Sequence, residues 1–486
     1  MSSMTERLRS LALALSATGT VAATRDIAEV SSAELPALIA GLAGTPRHEV
    51  SYLVIATLSG EIPRPELIKG FTRRWRLDGL EMLVRALRAE YRWRRVTLPL
   101  DIVTGQTVID VTDTLASRFT TGIQRVARET ISRWWAGPGE LVLVRWDPRG
   151  HRLISLDADE IRRVVPDAGV RAEGAVAHYV VPFETPFVLP EISVRNERTL
   201  RLRTIARYAG GRSTAIGFDC IPITSSETTA AGMPGAFSKY LSALARFDTI
   251  APISEASATE YRGWRRMLSG TGIAGPIIQT VELPFTSSGT SNSDRAEQLR
   301  AELGLGTDPI VLCVGSHEPR KNHLALLHAA ERVWRDGEKF SLVLVGGNSW
   351  ETERFDRLVA YLRRRDRHIV TLSGVGDDAI WDLYDLARCS VFCSLNEGFG
   401  LPVVESISHG TPIVTSDFGS MRSLGEGHGA LLVDPRDIAA TAHSISRMLR
   451  DDQEYARLKK QTETTPATSW DGYADELWKL STPTAH

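Results

Sequence analysis

Two carboxylates eight residues apart, Glu397 and Glu405, bracket a glycine-rich turn in Asn396-Glu-Gly-Phe-Gly-Leu-Pro-Val-Val-Glu405. The apolar run Ser390-Val-Phe-Cys-Ser-Leu395 before it predicts a buried strand, and the stretch after it, ending at His409-Gly410-Thr-Pro412, predicts a helix. Gly398 and Gly400 let the backbone approach a ligand closely, while free N–H groups and the helix dipole favour an anion. Glu405 falls about one turn inside the helix, where it can accept hydrogen bonds from ligand hydroxyls. Glu397 precedes the glycines and points into the same mouth. A bare phosphate would not need the carboxylates, whereas a phosphate-bearing ligand with hydroxyl groups on either side would use both. Arg320 and Lys321, in Glu318-Pro-Arg-Lys-Asn322, stand at a predicted helix start, where cations are disfavoured unless an anion is bound.

The elements that must position these residues follow from alternation. Pro309–Val314, Phe340–Val345 and Ile369–Leu372 read as buried strands, separated by helices that run to about Arg335 and over Ala379–Ala387. Ile413–Thr415 and Ala430–Val433 are late short strands, Asp437–Leu449 is a helix, and Trp470–Leu480 is a final amphipathic one. Upstream, strands are expected at Thr107–Val111, Glu140–Trp146, His178–Pro182, Ser213–Phe218 and Phe247–Ile253, with helices opening at Thr121-Gly-Ile-Gln-Arg-Val126, at Asn196 and after the cap-like Ser254. Pro182, Pro186 and Pro190 predict a loop, and the Ser/Gly/Thr-rich stretch Phe285–Asp294 predicts a linker. Strand–helix alternation on both sides of that linker implies two α/β domains with parallel sheets, doubly wound and Rossmann-like, and a ligand cleft between the carboxyl ends of their strands. Residues 1–100 lack the alternation and read as a helical N-terminal extension. The domains expected are therefore 1–100, 101–287 and 288–465, with 466–486 as a C-terminal helix packing back on the N-terminal domain.

Composition narrows the function. The chain has 486 residues, 43% apolar and 24% charged, with a net charge of −2. That balance is ordinary for a soluble protein and lacks the strongly basic surface a nucleic-acid binder needs. The four cysteines (Cys220, Cys313, Cys389, Cys393) form no CxxC pair and read as core thiols in a reducing compartment. No apolar run reaches the ~18 residues of a membrane span, and Arg9–Ala23 reads as an amphipathic helix rather than a signal peptide, with Glu6 in its would-be basic flank. Between Phe71 and Val96, eight arginines face three acids and interleave with Trp75, Tyr91 and Trp93. Such a surface suits anionic lipid headgroups, and it equally suits a packing helix with a solvated arginine face. Asp157-Ala158-Asp159 lies in a helix-opening context far from the other motifs, and the eleven histidines show no ligand spacing, so no metal and no cofactor are expected.

In order along the chain stand TGIQRV (Thr121–Val126), FDCIPI (Phe218–Ile223), EPRKN (Glu318–Asn322), NEGFGLPVVE (Asn396–Glu405), HGTPIVTSD (His409–Asp417) and LLVDP (Leu431–Pro435). Together they resemble the retaining, nucleotide-sugar-dependent glycosyltransferases of family 4, over about residues 106–480. The resemblance implies the GT-B fold, two Rossmann-like domains facing a cleft. It implies that Glu405 holds the ribose hydroxyls of the donor and that Glu397 contacts hydroxyls of its sugar. Backbone around Gly398, Phe399, Gly400 and Leu401 would face the sugar and diphosphate, beside Gly315, while Gly374 and Val375 border the base. Arg320 and Lys321 would neutralise the departing diphosphate. Gly122 would let its loop approach the donor or acceptor closely, and Asp219 would face the cleft. The chain departs from the pattern at Phe218, where many relatives have His, at Ser316, where many have Arg, and at Met421–His428.

The function implied is transfer of a hexose, mannose by the likeness to mannosyltransferases of bacterial surface polysaccharide assembly that use GDP-mannose, to a sugar or lipid-linked glycan hydroxyl. The expected location is cytoplasmic, with the basic stretch 71–96 as a peripheral contact to the inner face of the membrane. Two alternatives remain: a non-catalytic nucleotide-sugar-binding subunit of a polysaccharide assembly complex, and another GT-B enzyme such as a phosphorylase.

Overall fold

A computed structural model describes residues 3–18, 26–91, 98–117, 121–137, 139–286, 292–347, 350 and 352–482. Two sheets organise them. The N-terminal sheet contains β1 (Leu100–Val103), β2 (Thr107–Asp110), β3 (Leu141–Trp146), β4 (Leu153–Ser155), β5 (Tyr179–Pro182), β6 (Phe187–Leu189), β7 (Ser213–Gly217), β8 (Thr249–Pro252) and β9 (Ile277–Ile278). Their order is β1-β5-β4-β3-β2-β6-β7-β8-β9. The C-terminal sheet contains β10 (Ile310–Val314), β11 (Ser341–Val345), β12 (Ile369–Leu372), β13 (Cys389–Phe392), β14 (Ile413–Ser416) and β15 (Ala430–Val433), in the order β12-β11-β10-β13-β14-β15. All its pairings are parallel. Strands β11 and β13 are buried along their whole length, and β10 along nearly all of it, because helices cover both faces of a parallel sheet.

In the C-terminal sheet the strand order reverses between β10 and β13. The loops that leave these two neighbours diverge to opposite faces and open a crevice at the carboxyl ends of the strands. EPRKN follows β10 and NEGFG follows β13, so topology alone brings the two motifs together.

Three expectations need correction. The Pro182–Pro190 stretch is not all loop, because Phe187–Leu189 pairs in parallel with both β2 and β7. Pro186 and Pro190, on either side of that strand, lie outside its paired residues, where no ladder hydrogen bond is lost. The N-terminal sheet is not purely parallel, since β4 runs antiparallel to β3 and β5. The linker ends sooner than Asp294, because Asn292 caps a helix over Ser293–Glu302 by accepting from the N–H groups of Asp294 and Arg295.

The N-terminal helices Met4–Thr18, Leu35–Ala43, His48–Ser59, Pro65–Asp78 and Leu80–Tyr91 form one packed layer. Leu8, Leu11, Val50, Leu53, Leu83 and Val84 join the same apolar core as Val108 and Phe187 of the sheet. Trp75 is buried in that core, so it does not contribute to a membrane-facing aromatic surface, while Arg73, Arg74, Arg76 and Leu77 are exposed. Arg85 pairs with Glu81 on the same helix and Arg88 donates to the Ser32 carbonyl at 2.6 Å, whereas residues 92–96, including Trp93, lie outside the described residues. At the other terminus, Trp470–Ser481 crosses back to the N-terminal sheet's helix Gly122–Ala136. There Trp134 Nε1 donates to the Ala474 carbonyl at 2.9 Å and stacks edge-on against Trp478. Among the described residues no helix is long and apolar enough to cross a membrane.

Candidate functional site

The two C-terminal motifs are laced together by main-chain hydrogen bonds. Beyond β10 the chain passes Gly315 and a single 3-10 turn at Pro319–Lys321 before the helix His323–Arg335. Gly315 has φ 154°, and a β-carbon there would lie 3.7 Å from Lys321 Cδ. The Leu395 N–H and the Ser394 hydroxyl both donate to the Arg320 carbonyl, at 2.9 and 3.0 Å. Arg320 Nη1 in turn donates to the Asn396 carbonyl at 2.8 Å. The turn that holds the cations is thus fixed against the turn that holds Glu397.

Glu397 receives both cations. Lys321 Nζ lies 2.7 Å from Oε1, and Arg320 Nη1 lies 2.6 Å from Oε2. Ser394 donates to Oε1 at 2.7 Å. Burial would raise the Glu397 pKa, but Arg320 and Lys321 outweigh it and hold the carboxyl down at about 2. Burial likewise opposes the charge on Arg320, and Glu397 and Glu318 more than offset it, so its pKa is raised. Lys321 also stands 4.9 Å from the centroid of the Phe392 ring. Two cations against Glu397 and Glu318 form a cluster largely withdrawn from water.

The turn Asn396–Leu401 faces the N-terminal domain directly. The Gly398 carbonyl accepts from the hydroxyls of Ser254 and Ser257, which open the helix following β8. Asn396 Nδ2 donates to Ser225 Oγ at 3.2 Å. Phe399 enters the apolar core that also holds Ile253, Leu283 and Phe218. Gly400, with φ 108°, turns the chain into the helix Leu401–Ser408, and a β-carbon there would meet Met421 Cγ at 3.4 Å. Gly122 begins the helix Gly122–Ala136 against Leu401, leaving 3.4 Å for a β-carbon.

Asp219, at the carboxyl end of β7, lies across from Gly398: a β-carbon on Gly398 would stand 3.2 Å from Asp219 Oδ2. Burial pushes the Asp219 carboxyl up to about 6, against the pull of Arg320. Phe218, the residue before it, turns its ring into the core, while its carbonyl accepts from Ser257 Oγ.

Glu405, in the helix after the turn, is held by residues the motif reading did not assign. Arg125 Nη1, from Thr121–Val126, lies 2.5 Å from Oε1. The Tyr384 hydroxyl donates to Oε2 at 3.2 Å. Arg125 stacks 5.0 Å from the Trp381 ring, which stacks on His409. Arg125 was visible inside a recognisable motif, but its partner lies 280 residues away and no local pattern marks such a pairing. Tyr384 and Trp381 stand in the helix expected over Ala379–Ala387, where no local pattern marks them as partners of Glu405.

Arg320, Lys321, Glu397, Gly398 and Asp219 are therefore gathered at one place, with Gly315 below Lys321 and Glu405 behind the turn. Gly374 (φ 68°) and Val375 are not in contact with that cluster. They follow the edge strand β12 and lead into the helix Asp377–Leu386 that carries Trp381 and Tyr384. Asp157 of the DxD triplet is the N-cap of the helix Ala158–Val164, bonded to the Glu160 N–H. Two cavities lie elsewhere, one of about 320 Å³ beside Phe285, Ile407 and Thr462, the other of about 430 Å³ beside Arg262, Arg265 and Arg266.

Residues 295–465 match the family model described as Glycosyl transferases group 1. The chain is 26% identical over 230 residues to the serotype-specific mannosyltransferase WbdA of Escherichia coli, covering 46% of this chain and 28% of that protein. It is 36% identical over 142 residues to O-antigen chain mannosyltransferase B of Escherichia coli, covering 29% of this chain and 37% of that protein. The chain thus spans well under half the length of these relatives. Among solved structures, Anabaena HepE in complex with UDP and glucose superposes with a TM-score of 0.57 at 13% identity, over 78% of this chain and 99% of that one. WaaG, a glycosyltransferase involved in lipopolysaccharide biosynthesis, superposes with a TM-score of 0.52 at 12% identity, over 78% of this chain and 100% of that one. The fold is GT-B.

Proposed function

For a chain whose residues 295–465 match the family model of glycosyl transferases group 1, we propose the transfer of a hexose from a nucleoside diphosphate sugar to a glycan or lipid-linked glycan hydroxyl, with retention at the anomeric carbon. The observation that carries this reading is the pairing of Arg320 and Lys321 on Glu397 at the strand-order reversal between β10 and β13. The diphosphate binds against the Gly398–Leu401 turn and the two cations. Glu405 accepts the ribose hydroxyls and Glu397 the sugar hydroxyls, while Gly374 and Val375 border the base.

As the glycosidic C–O bond lengthens, negative charge collects on the diphosphate, and preorganised cations lower the energy of that state more than of the ground state. The acceptor hydroxyl then attacks from the face the diphosphate leaves, and its proton passes to the departing phosphate oxygen. Asp219 accepts a hydrogen bond from the incoming hydroxyl. No residue of the set needs a metal to do this. Relatives named as mannosyltransferases favour mannose and hence GDP-mannose. The exposed Arg73, Arg74 and Arg76 suit peripheral contact with an anionic membrane.

A thermal-shift screen against GDP-, UDP-, ADP- and TDP-sugars tests the donor, because a ligand of the native state raises its melting temperature. Donor hydrolysis and transfer by Glu405→Ala and Lys321→Ala test the site, and wild-type rates in both would refute it. A second reading, a nucleotide-sugar-binding subunit without turnover, draws on Phe218, whose ring is buried where many relatives place His. It predicts a thermal shift with no product across a broad acceptor panel.

A further inference from the structure

We propose that Arg125 is a positioning residue for the donor site: it orients Glu405, so that the carboxylate for the ribose is set only when the two domains meet. The inference rests on the donor reading of Glu405 given above.

The geometry that supports it is specific to this pair. Arg125 belongs to the N-terminal domain and Glu405 to the C-terminal one, and their side chains are only 14% and 9% exposed. An ion pair so withdrawn from water is weakly screened. The Tyr384 hydroxyl reaches Glu405 Oε2 at 3.2 Å, long for an O–H donor to a carboxylate, so Arg125 provides the short charge-assisted contact. The guanidinium is itself oriented by the Trp381 face at 5.0 Å. A planar, stacked fork fixes a carboxylate rotamer in a way that a lysine ammonium does not.

The position of Arg125 along its helix is also fixed. Gly122, three residues earlier, lies against Leu401 with 3.4 Å for a β-carbon. Leu401 begins the helix that carries Glu405. The contact at Gly122 therefore sets the height of Arg125 over Glu405 whenever the domains close. A carboxylate has about four lone-pair positions. With one taken by Arg125 and one by Tyr384, two remain, the number a vicinal diol would use. Arg125 does not touch the reacting bond in this arrangement. Its loss should weaken donor binding and leave the chemical step at saturation nearly unchanged.

The test measures binding of GDP and UDP by calorimetry to wild type, Arg125→Ala, Arg125→Lys, Glu405→Ala and the Arg125→Ala/Glu405→Ala double variant, alongside donor KM and kcat. For whichever nucleotide the wild type binds, Arg125→Ala should raise Kd about tenfold or more and raise donor KM in parallel, with kcat within about threefold. Arg125→Lys should recover part of the affinity, and it keeps the comparison open should Arg125→Ala fail to fold. The double variant should bind no more weakly than Glu405→Ala alone, because one interaction can be lost only once. If Glu405→Ala weakens binding and Arg125→Ala or a fully additive double variant does not follow this pattern, the positioning role is wrong while the donor site stands. If Glu405→Ala, or the wild type tested against both nucleotides, shows no effect, the donor reading itself fails.

Discussion

The Phe218 carbonyl oxygen lies where a β-carbon on Gly398 would come within 2.5 Å of it. The two residues belong to different domains, and the obstruction is backbone rather than a flexible side-chain end. Asp219 and the Ser254 and Ser257 hydroxyls occupy the same contact. Gly398 is therefore required by close approach across the cleft, independently of any role toward an anion.

Gly398→Ala should force the domains apart at this point. The expected result is a fall in kcat/KM of about tenfold or more and a stability loss of about 1–3 kcal/mol, the range of overpacking in a tight contact. Transfer kinetics and a urea melt check both. Small-angle scattering should show a larger radius of gyration for the variant, and an unchanged radius with unchanged activity would remove the close-approach argument.

Lys321→Ala leaves Glu397 to Arg320 alone. Because stabilisation of a developing diphosphate is the task proposed for Lys321, kcat should fall about 100–1,000-fold with little change in donor KM. The acid limb of stability should move as well. Glu397 has a folded pKa of about 2, below its ordinary value of 4.5, so its pairing contributes stability above pH 4.5 that is lost as pH falls toward 2. Removing one of its two cations raises the folded pKa. The variant should unfold at higher pH on acidification, as followed by tryptophan fluorescence.

Much of the C-terminal half of this site was legible because its parts are contiguous. Asn396–Glu405 encodes turn and helix start in ten residues, a few residues past the end of β13, and the apolar runs mark β10 and β13 to within a few residues. What was not legible depends on distance or on context. Arg125 and Glu405 are 280 residues apart, and neither has a neighbour that announces the other. β6 is three residues between prolines, too short for any period to register, and its pairing is set by β2 and β7 on either side. Trp75 stood in an arginine-rich stretch, and only the helix packing shows that it faces inward while Arg73, Arg74 and Arg76 face outward.

Asp219 gives a prediction of opposite sign to Glu397. Burial raises its folded pKa to about 6, above the ordinary 3.8. Below pH 3.8 the carboxyl is protonated in both states and contributes nothing. As pH rises from about 4 to 6, the unfolded chain ionises first, so folding loses stability, and the loss is complete above pH 6. Asp219→Asn removes the titration and keeps the shape. The variant should be more stable than wild type at pH 8, by at most about 3 kcal/mol for a carboxyl raised from 3.8 to about 6, and the gain should shrink toward pH 4. Transfer by the wild type should change through about pH 6, and a pH–rate profile of the variant without that inflection would tie it to Asp219.

Arg198 tests what holds the N-terminal half of the cleft. It is buried among Asp110 at the end of β2, Glu191 just beyond β6, and the partly exposed Asp113. Asp110 also accepts from Trp146 Nε1 at 2.7 Å, and Glu191 from the N–H groups of Asp113 and Thr114 at 2.7 and 2.8 Å. One guanidinium thus pairs with three carboxylates at the point where the loops of β2 and β6 part. Burial pushes the Glu191 carboxyl up to about 7 even with Arg198 opposing it. Arg198→Met would leave Asp110 and Glu191 buried without a counter-charge, and removing one partner from such a set costs about 3–5 kcal/mol. A guanidinium melt should show that loss at pH 8. It should be smaller at pH 5, where a carboxyl with a folded pKa near 7 or higher is already neutral and needs no cation. An equal loss at both pH values would mean that Arg198 stabilises by packing its side chain rather than by charge.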